Sequence, residues 1–323
     1  MADCGTATPL GRGRTVSAAM GDTGIGTSAR ARTKGRGKAR ATLELIETSR
    51  EILEEIQPAS VRAVCYRLFT MGLIPNMSKN STNKVSTQLT WAREQCVIPW
   101  EWVVDETRDA ERINAWTNPD QIIRAAVHGY RRNYWQEQAY RVEVWSEKGT
   151  VRGTLAPVFN ELGVTFRVMH GFASATAINA IADESNYDDG RPLVALYVGD
   201  FDPSGMFMSE ADLPDRLNRY GATVNLKRVA LTVPDLRGLP SFDVETKRGD
   251  ARYEWFLVRY GRQCWELDAM SPNLLRERVR ESIRTFIDDD AWMRAVEIEQ
   301  VEIDSMHDFH AAWKSRISGQ AAK

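Results

Sequence analysis

The chain has no apolar segment long enough to cross a membrane. Spanning a bilayer takes roughly 20 predominantly apolar residues, and no run in the sequence approaches that length. The N-terminal residues also lack the apolar core of a secretory signal. We therefore expect a cytoplasmic protein without a membrane partner, associated with the nucleoid if its source is bacterial.

Cysteine and histidine are scarce and scattered. The 323 residues include four cysteines without a CxxC pair, and four histidines without a metal-like grouping. Neither a zinc site nor a disulfide framework is therefore expected. No GxxxxGK[ST] phosphate-binding loop is present either, so the chain carries no nucleotide-hydrolysing motif of that kind. The hydrophobic content of 43% is typical of globular proteins, and 323 residues are enough for two domains that each have a hydrophobic core.

Positive charge is concentrated at the N-terminus. Residues 1–40 contain eight basic and two acidic residues, a charge of +6, whereas the whole chain carries −2 and the remainder therefore −8. Because this segment is rich in Gly, Ala, Ser and Thr, it cannot bury enough apolar surface to fold, and we expect residues 1–41 to form a disordered basic arm. The arm could contact nucleic-acid phosphates or serve only as a solubilising tail.

Residues 42–108 show three helical patterns followed by a short strand. The helical stretches are TLELIETSREILEEI, PASVRAVCYRLFTMGLI and NKVSTQLTWAREQCVI, and the strand lies in PWEWVVDETR. This order is typical of a winged helix-turn-helix domain, whose third helix enters a DNA groove. We therefore predict DNA contacts from Lys84, Gln88 and Arg93, and a helical connector over residues 109–139.

From residue 140 to residue 232, strand patterns alternate with helical patterns. The strands lie in YRVEVWS, VTFRVMHG, PLVALYVGD and TVNLKRVALT, with helical stretches between them. Such alternation predicts an α/β domain with a mostly parallel sheet and helices on both faces. We assign residues 140–323 to this domain, with a helical C-terminal extension that begins near Pro272.

Three acidic residues follow two of these strands. Glu147 ends the first strand, and Asp200 and Asp202 end the third, in the sequence YVGDFDPSG. Because ligands bind at the carboxyl ends of strands in open α/β sheets, we expect these carboxylates to meet at one edge. Their oxygen atoms suit Mg²⁺, which would offset the repulsion between the two aspartates. The alternative is that DFDPSG only forms a turn that caps a helix.

This arrangement, a strand followed by Glu-Lys and a later strand followed by Asp-x-Asp and a small-residue turn, resembles the Toprim domain of topoisomerases, bacterial primases and some nucleases. The resemblance covers about residues 140–232 and implies that Glu147, Asp200 and Asp202 bind Mg²⁺. It does not choose the reaction, because Toprim domains cleave DNA through a tyrosine, hydrolyse it or polymerise on it.

The stretch SVRAVCYRLF places Arg62 and Tyr66 four residues apart on one face of a predicted helix. A tyrosine hydroxyl with a pKa of about 10 is a poor nucleophile at neutral pH, so it needs a nearby cation and a metal-polarised phosphate. Arg62 could supply that cation through bidentate hydrogen bonds to the phosphate. The alternative is a core tyrosine beside an arginine in a surface ion pair.

The pattern Arg-x-x-x-Tyr in a winged helix ahead of a Toprim domain resembles the A subunit of topoisomerase VI and the meiotic double-strand-break transesterase. That family usually shows two adjacent aromatic residues, the second being the nucleophile. Here Cys65 stands at the first position and Tyr66 at the second. The resemblance implies that Tyr66 attacks a DNA backbone phosphate and stays joined to the 5' end.

The same resemblance implies a homodimer that acts on double-stranded DNA, in which the tyrosine of one protomer works with the magnesium of the other. A separate GHKL-type ATPase subunit would then drive strand passage, unless the chain is a compact standalone relative of the A subunit. Two other classes of function stay open. One is a Toprim hydrolase that uses the same metal and water, and the other is a DNA-binding scaffold without cleavage activity.

Several further residues have weaker signals. Lys148 and Lys247 are candidates for contacts with DNA, although a solvated charge explains Lys148 equally well. Ser174 could meet a phosphate at a helix N-terminus or simply cap that helix. Glu266 and Asp268, in CWELDAMSP, are interpreted as part of a structural or interface element rather than as a second metal site.

Overall fold

The structure, a computed structural model, describes residues 38–104, 115–169, 175–187 and 190–321. Residues 1–37, which make up most of the predicted basic arm, lie outside the described part. Within the described ranges, no helix combines the length and the apolarity that crossing a bilayer requires.

The first part of the described chain is a helical unit, residues 40–104, with three helices and two very short strands. Each of the three predicted helices is present, which confirms the helical pattern of this region. The elements are α1 (Arg40–Ile56), β1 (Ala59–Ser60), α2 (Val61–Thr70), α3 (Lys79–Glu94) and β2 (Val103–Val104). Leu53, Leu68 and Leu89, one from each helix, are fully buried, so the unit has a core of its own.

Two details of this unit differ from the sequence-based expectation. Helix α3 begins four residues earlier than its apolar pattern, because Ser78 caps it and accepts a hydrogen bond from the backbone N–H of Ser81 at 3.5 Å. The predicted strand at 100–104 is wrong in its first part, where Trp100–Trp102 is a 3-10 turn. Only β2 remains extended, and it pairs in parallel with β1. Residues 105–108, the predicted end of the winged-helix domain, lie outside the described residues.

Residues 109–114 of the predicted connector lie outside the described residues, and only part of the remainder is helical. Helix α4 (Pro119–Gly129) is capped by Asn118 and starts with a proline, a favourable helix beginning. Beyond Gly129 the chain leaves the helix because its polar groups bind the C-terminal helix instead. The backbone N–H of Arg132 and the hydroxyl of Tyr134 both donate hydrogen bonds to Glu299, at 2.6 and 2.7 Å.

The centre of the molecule is an α/β unit, residues 141–230, with a four-stranded parallel sheet in the order β4-β3-β5-β6. Its elements are β3 (Arg141–Ser146), α5 (Thr150–Leu162), β4 (Thr165–Val168), α6 (Ala175–Tyr187), β5 (Leu193–Val198), α7 (Pro203–Phe207), α8 (Leu213–Arg219) and β6 (Val224–Ala230), with a π-helical turn at Met208–Asp212 between α7 and α8. This confirms the predicted α/β class.

Helices cover both faces of the sheet, as the burial of strand β5 shows. All six of its residues are buried, as expected for a strand with cores on both sides. Val194 and Leu196 point into one core, and Ala195 and Tyr197 point into the other. The sheet therefore lies in the middle of a three-layer arrangement.

A mixed segment and two long helices complete the described chain. They are β7 (Phe242–Asp243), α9 (Tyr253–Tyr260), β8 (Gln263–Cys264), α10 (Pro272–Arg284) and α11 (Asp289–Ala321), with β7 and β8 antiparallel. The helical C-terminal extension was predicted to begin at Pro272, and it does. Cys65 and Cys264 are free and buried, whereas Cys96 is disulfide-bonded.

Arg276 joins the helical unit to the rest of the molecule. It lies on α10 with 7% of its surface exposed, and its guanidinium donates to the backbone carbonyls of Ile56, Gln57 and Pro58 at 2.8 to 3.1 Å. The same group donates to the carbonyl of Thr154 in α5 at 3.0 Å. The loop that leads from α1 into α2 is thereby held against α5 and α10.

We expect Arg276→Met to lower the free energy of unfolding by about 3 kcal/mol, because it leaves several buried carbonyls without a donor. Arg284→Met is the matched control on the same helix, since the Arg284 side chain is 62% exposed and only reaches Glu161. Denaturant unfolding of both variants checks this. An equal effect of the two substitutions would contradict the proposed role of Arg276.

Candidate functional site

The site begins with the pairing of two neighbouring strands. Strands β3 and β5 are adjacent and parallel, and Ser146 lies opposite Val198. Glu147 follows the first strand directly, and Asp200 and Asp202 follow the second after a single glycine. The three predicted acidic residues therefore leave the sheet at the same edge, which we call the acidic edge.

Glu147 interacts electrostatically with Asp200 and Asp202. Burial raises the pKa of Glu147 above its ordinary value, and the negative charges of Asp202 and Asp200 raise it further. The hydroxyl of Ser204 donates a hydrogen bond to Glu147 Oε1 at 3.4 Å, which ties the end of β3 to the turn after β5.

The turn after β5 also caps a helix, as the alternative interpretation of DFDPSG held. Asp202 is 3% exposed, and its Oδ1 accepts a hydrogen bond from the backbone N–H of Gly205 at 2.8 Å at the start of α7. A side chain at position 205 would not fit, since a Cβ there would lie 2.3 Å from the carbonyl oxygen of Asp200. Asp202 can cap the helix and also act at the acidic edge, because the two roles use different oxygens. Oδ1 caps the helix, whereas Oδ2 lies 3.2 Å from Lys247 Nζ.

Arg228, on β6, holds this turn in place and was not identified from the sequence. Its guanidinium donates to the backbone carbonyls of Gly199, Asp200 and Gly205 at 2.7 to 3.0 Å. It also donates to the hydroxyl of Ser209 at 3.0 Å. Because a single rigid fork reaches both sides of the turn, it fixes the backbone from which Asp200 and Asp202 project.

Lysines neutralise both aspartates. Lys148 Nζ lies 2.8 Å from Asp200 Oδ2 and 3.4 Å from Asp268 Oδ2. Burial alone would lower the pKa of Lys148, but the charges of Asp200 and Asp268 raise it. The pKa of Lys247 is likewise raised by Asp202 against the opposing effect of burial. Lys148 and Lys247, both predicted to contact DNA, therefore bind the acidic edge here.

The chemistry of the acidic edge suits Mg²⁺ better than its present geometry does. Three half-buried or buried carboxylates that repel one another form a hard oxygen donor set. Yet among the described residues, no group of three His, Cys, Asp or Glu side chains is arranged to hold a metal ion. A cation at this edge would have to replace the ammonium groups of Lys148 and Lys247.

A second acidic segment reaches the same edge from far along the chain. Trp265 and Phe201 exchange two backbone hydrogen bonds of 2.9 Å, and the N–H of Leu267 donates to Asp200 Oδ1 at 2.8 Å. Glu266 and Asp268 flank Leu267 and are thus carried to the site. The interpretation of CWELDAMSP as an interface element agrees with this, because both carboxylates contact the helical unit.

Helix α2 and Ser60, the residue that caps it, contact this segment through three side chains. The Ser60 hydroxyl donates to Asp268, Arg62 forms a bidentate ion pair with Glu266, and the Tyr66 hydroxyl donates to Glu266 Oε2 at 3.3 Å. The backbone of the same segment binds Asp200 through the N–H of Leu267, and Asp268 shares Lys148 with Asp200. Arg62 and Tyr66 are therefore connected to the acidic edge within one chain.

Tyr66 is buried in this arrangement, with 5% of its surface exposed. Burial raises the pKa of its hydroxyl well above the ordinary value, and the negative charge of Glu266 adds to that effect. A phenol in this state is a weaker nucleophile than a free one. The alternative of a core tyrosine beside an ion-paired arginine thus describes the observed arrangement, although Arg62 pairs with Glu266 across the boundary between the helical unit and the rest of the chain.

The three α3 residues predicted to contact DNA differ from one another in their exposure and contacts. Lys84 is exposed, and Gln88 accepts a hydrogen bond from Lys38 Nζ at 2.5 Å. Arg93 is only 6% exposed, with its guanidinium 4.8 Å from the centre of the Trp100 ring. Lys84 is available at the surface, whereas Arg93 packs inside the helical unit. Ser174 lies outside the described residues.

No protein-family model matches the chain, and neither a curated protein nor a solved structure gives a match. Its function is therefore inferred from the residues and contacts described above.

Without divalent metal, we expect Glu147→Gln to be more stable than the wild type at pH 7. The raised pKa of Glu147 means that its ionised form is less favourable in the folded state than in the unfolded state. The stability that its protonated form contributes is full below about pH 4.5 and is lost as the pH rises through the folded pKa. The glutamine side chain does not ionise, so the Glu147→Gln variant does not lose this stability as the pH rises.

Thermal unfolding in EDTA between pH 3.5 and pH 8 measures this difference, which should vanish at the acidic end. Glu161→Gln is the control of opposite sign. Burial alone would raise the pKa of Glu161, but Arg280 and Arg284 lower it, so that variant should lose stability at pH 7. A Glu147→Gln variant less stable than the wild type at pH 7 would contradict the electrostatic description of the acidic edge.

Proposed function

We propose that the chain is a Mg²⁺-dependent, DNA-cleaving tyrosine transesterase of the topoisomerase VI A type. The observation that carries the proposal is the connection between Tyr66 and Asp200. Tyr66 and Arg62 bind Glu266, and the backbone N–H of the next residue, Leu267, binds Asp200 at the acidic edge.

Two features of the fold support the resemblance on which this proposal draws. Three helices followed by a short extended segment are the order of a winged helix-turn-helix domain. The parallel order β4-β3-β5-β6, with acidic residues after the two central strands, is what a Toprim domain would show. We therefore propose these two domain types for the helical unit and the α/β unit.

Each residue has a defined part in the proposed reaction. The oxygen of Tyr66 attacks a backbone phosphorus, the bond to the 3' oxygen breaks, and a 5'-phosphotyrosyl link and a 3' hydroxyl result. Arg62 stabilises the charge on the phosphate oxygens through its two parallel N–H donors. Mg²⁺ bound by Glu147, Asp200 and Asp202 would supply Lewis-acid polarisation of a phosphate oxygen.

The closed arrangement has to change before DNA can react. Lys148 and Lys247 would exchange the aspartates for DNA phosphates, which returns these lysines to the role predicted from the sequence. Lys84 offers a further positive charge on α3. The buried hydroxyl of Tyr66 has to become accessible, which requires that α2 move or that Glu266 release it.

Cleavage of both strands of a DNA duplex requires two tyrosines, because each tyrosine cleaves one strand. We therefore propose a homodimer as the active form. In this chain Tyr66 contacts Glu266 of its own protomer, so the exchange of partners implied by the resemblance would require Tyr66 to leave Glu266. ATP-driven strand passage would need a separate GHKL-type ATPase subunit.

A second candidate, a Toprim-type hydrolase, is favoured by one observation. Tyr66 is buried and its pKa is raised, whereas the acidic edge could direct a water molecule without any tyrosine. A third candidate, a DNA-binding scaffold without cleavage, is favoured by the lysines that occupy Asp200 and Asp202. The three candidates differ in the product that they leave on DNA.

We expect the wild-type protein, incubated with supercoiled plasmid and Mg²⁺ and stopped with detergent, to be joined to DNA 5' ends. Tyr66→Phe and Glu147→Ala should abolish the adduct, because one lacks the nucleophile and the other a metal ligand. Tyr253→Phe is the matched control, since Tyr253 is 8% exposed and donates a hydrogen bond to Glu245 at 2.7 Å.

The alternatives give different results in the same assay. Free 5' phosphates from the Tyr66→Phe variant would establish the hydrolase. Salt-sensitive DNA binding without any Mg²⁺-dependent product would establish the scaffold. An adduct retained by Tyr66→Phe would exclude Tyr66 as the nucleophile.

We also expect Mg²⁺ to stabilise the wild-type protein in the absence of DNA. At about 100 times its dissociation constant, a ligand that binds only the folded state raises the free energy of unfolding by about 2.7 kcal/mol. Glu147→Ala should lose this stabilisation, and Glu161→Gln should keep it. Thermal unfolding over a Mg²⁺ titration, with K⁺ added to constant ionic strength, measures the effect. Equal Mg²⁺ responses of the two variants would rule out the acidic edge as the metal site.

A further inference from the structure

We propose that the carboxylate of Glu266 occupies a phosphate-binding subsite formed by Arg62 and Tyr66, and that a DNA phosphate has to displace it. The inference rests on the proposed function, since it takes Arg62 and Tyr66 to be the groups that meet the phosphate. It adds a residue that the sequence pattern did not connect with them, 200 positions beyond the tyrosine.

The contacts of Glu266 are those that a bound phosphate would make. One carboxylate oxygen accepts from Arg62 Nε and from the Tyr66 hydroxyl, the latter at 3.3 Å. The other oxygen accepts from the second nitrogen of the guanidinium at 2.5 Å. Two oxygens thus face the planar fork of an arginine, with the nucleophilic hydroxyl beside one of them.

Carboxylate and phosphate compete for such a position because the arginine fork matches both. Two parallel N–H donors bind either group in the same bidentate geometry. While Glu266 is bound, the edge of Arg62 that carries these donors is filled, and no phosphate can use it. The Arg62 side chain is nevertheless 41% exposed, so an incoming phosphate can approach the guanidinium from solvent.

The backbone around Glu266 is held by contacts that do not involve the Glu266 side chain. Trp265 is bonded to Phe201, the N–H of Leu267 is bonded to Asp200, and Asp268 is held by Ser60 and Lys148. Displacement of the Glu266 carboxylate therefore needs only rotation about its own side-chain bonds. The two units of the molecule remain joined through Asp268 while the subsite exchanges its occupant.

The test compares Glu266→Gln with Glu161→Gln, a glutamate that pairs with Arg280 and Arg284 away from the site. Binding of a short DNA duplex is measured in EDTA, where no cleavage occurs, and adduct formation is measured separately with Mg²⁺. Loss of the competing charge should tighten duplex binding by about fivefold to tenfold, the scale of one charge-assisted hydrogen bond. Adduct should also form faster, and Glu161→Gln should match the wild type in both measurements.

A second variant, Glu266→Asp, keeps the charge, but its side chain is one methylene shorter and reaches Arg62 less well. This variant should also bind the DNA duplex more tightly than the wild type. Thermal unfolding shows that each variant is folded. Unchanged duplex affinity in both Glu266 variants would overturn the proposal, as would slower adduct formation at unchanged affinity, which would make Glu266 a proton acceptor for Tyr66.

These outcomes are separate from the fate of the proposed function. Tighter duplex binding by the Glu266 variants without any adduct from the wild type would support the subsite and overturn the transesterase. An adduct from the wild type together with unchanged duplex affinity of the Glu266 variants would support the transesterase and overturn the subsite.

Discussion

The site depends on the parallel pairing of two central strands, β3 and β5. Parallel neighbours end at the same edge of a sheet, so the residues that follow them are brought together whatever their separation in sequence. Glu147 meets Asp200 and Asp202 for this reason. Arg228 then fixes the turn after β5, and the backbone bridge between Phe201 and Trp265 adds Glu266 and Asp268 to the same edge.

Like charges gathered in this way need compensation, and the molecule supplies it internally. Lys148 lies between Asp200 and Asp268, and Lys247 binds Asp202. Arg62 does the same for Glu266. Each of these cations also has the chemistry to bind a DNA phosphate, and each of the anions could hold a metal or be repelled by DNA. We interpret the described structure as a closed state, in which the protein's own ion pairs occupy positions that metal and phosphate would take.

Periodicity and strand order were enough to predict most of the fold and part of the site. The helices at α1, α2 and α3, the alternation from β3 to β6 and the helix that begins at Pro272 follow from local patterns. The meeting of Glu147 with Asp200 and Asp202 follows from a general rule for parallel sheets. Contacts that join residues about 200 positions apart, such as Arg62 with Glu266, carry no local signal. The burial of Arg93 beside Trp100 was missed for the same reason, because a charged residue on a helix gives no sign of its tertiary neighbours.

The most direct measurement is the identification of the amino acid that becomes attached to DNA. Protein trapped with Mg²⁺ and a duplex is digested with nuclease and trypsin, and the modified peptide is sequenced by mass spectrometry. The account predicts a nucleotide on the peptide of residues 63–67, attached to Tyr66 through its 5' phosphate. A nucleotide on any other residue, or cleaved DNA with no modified peptide, would contradict it.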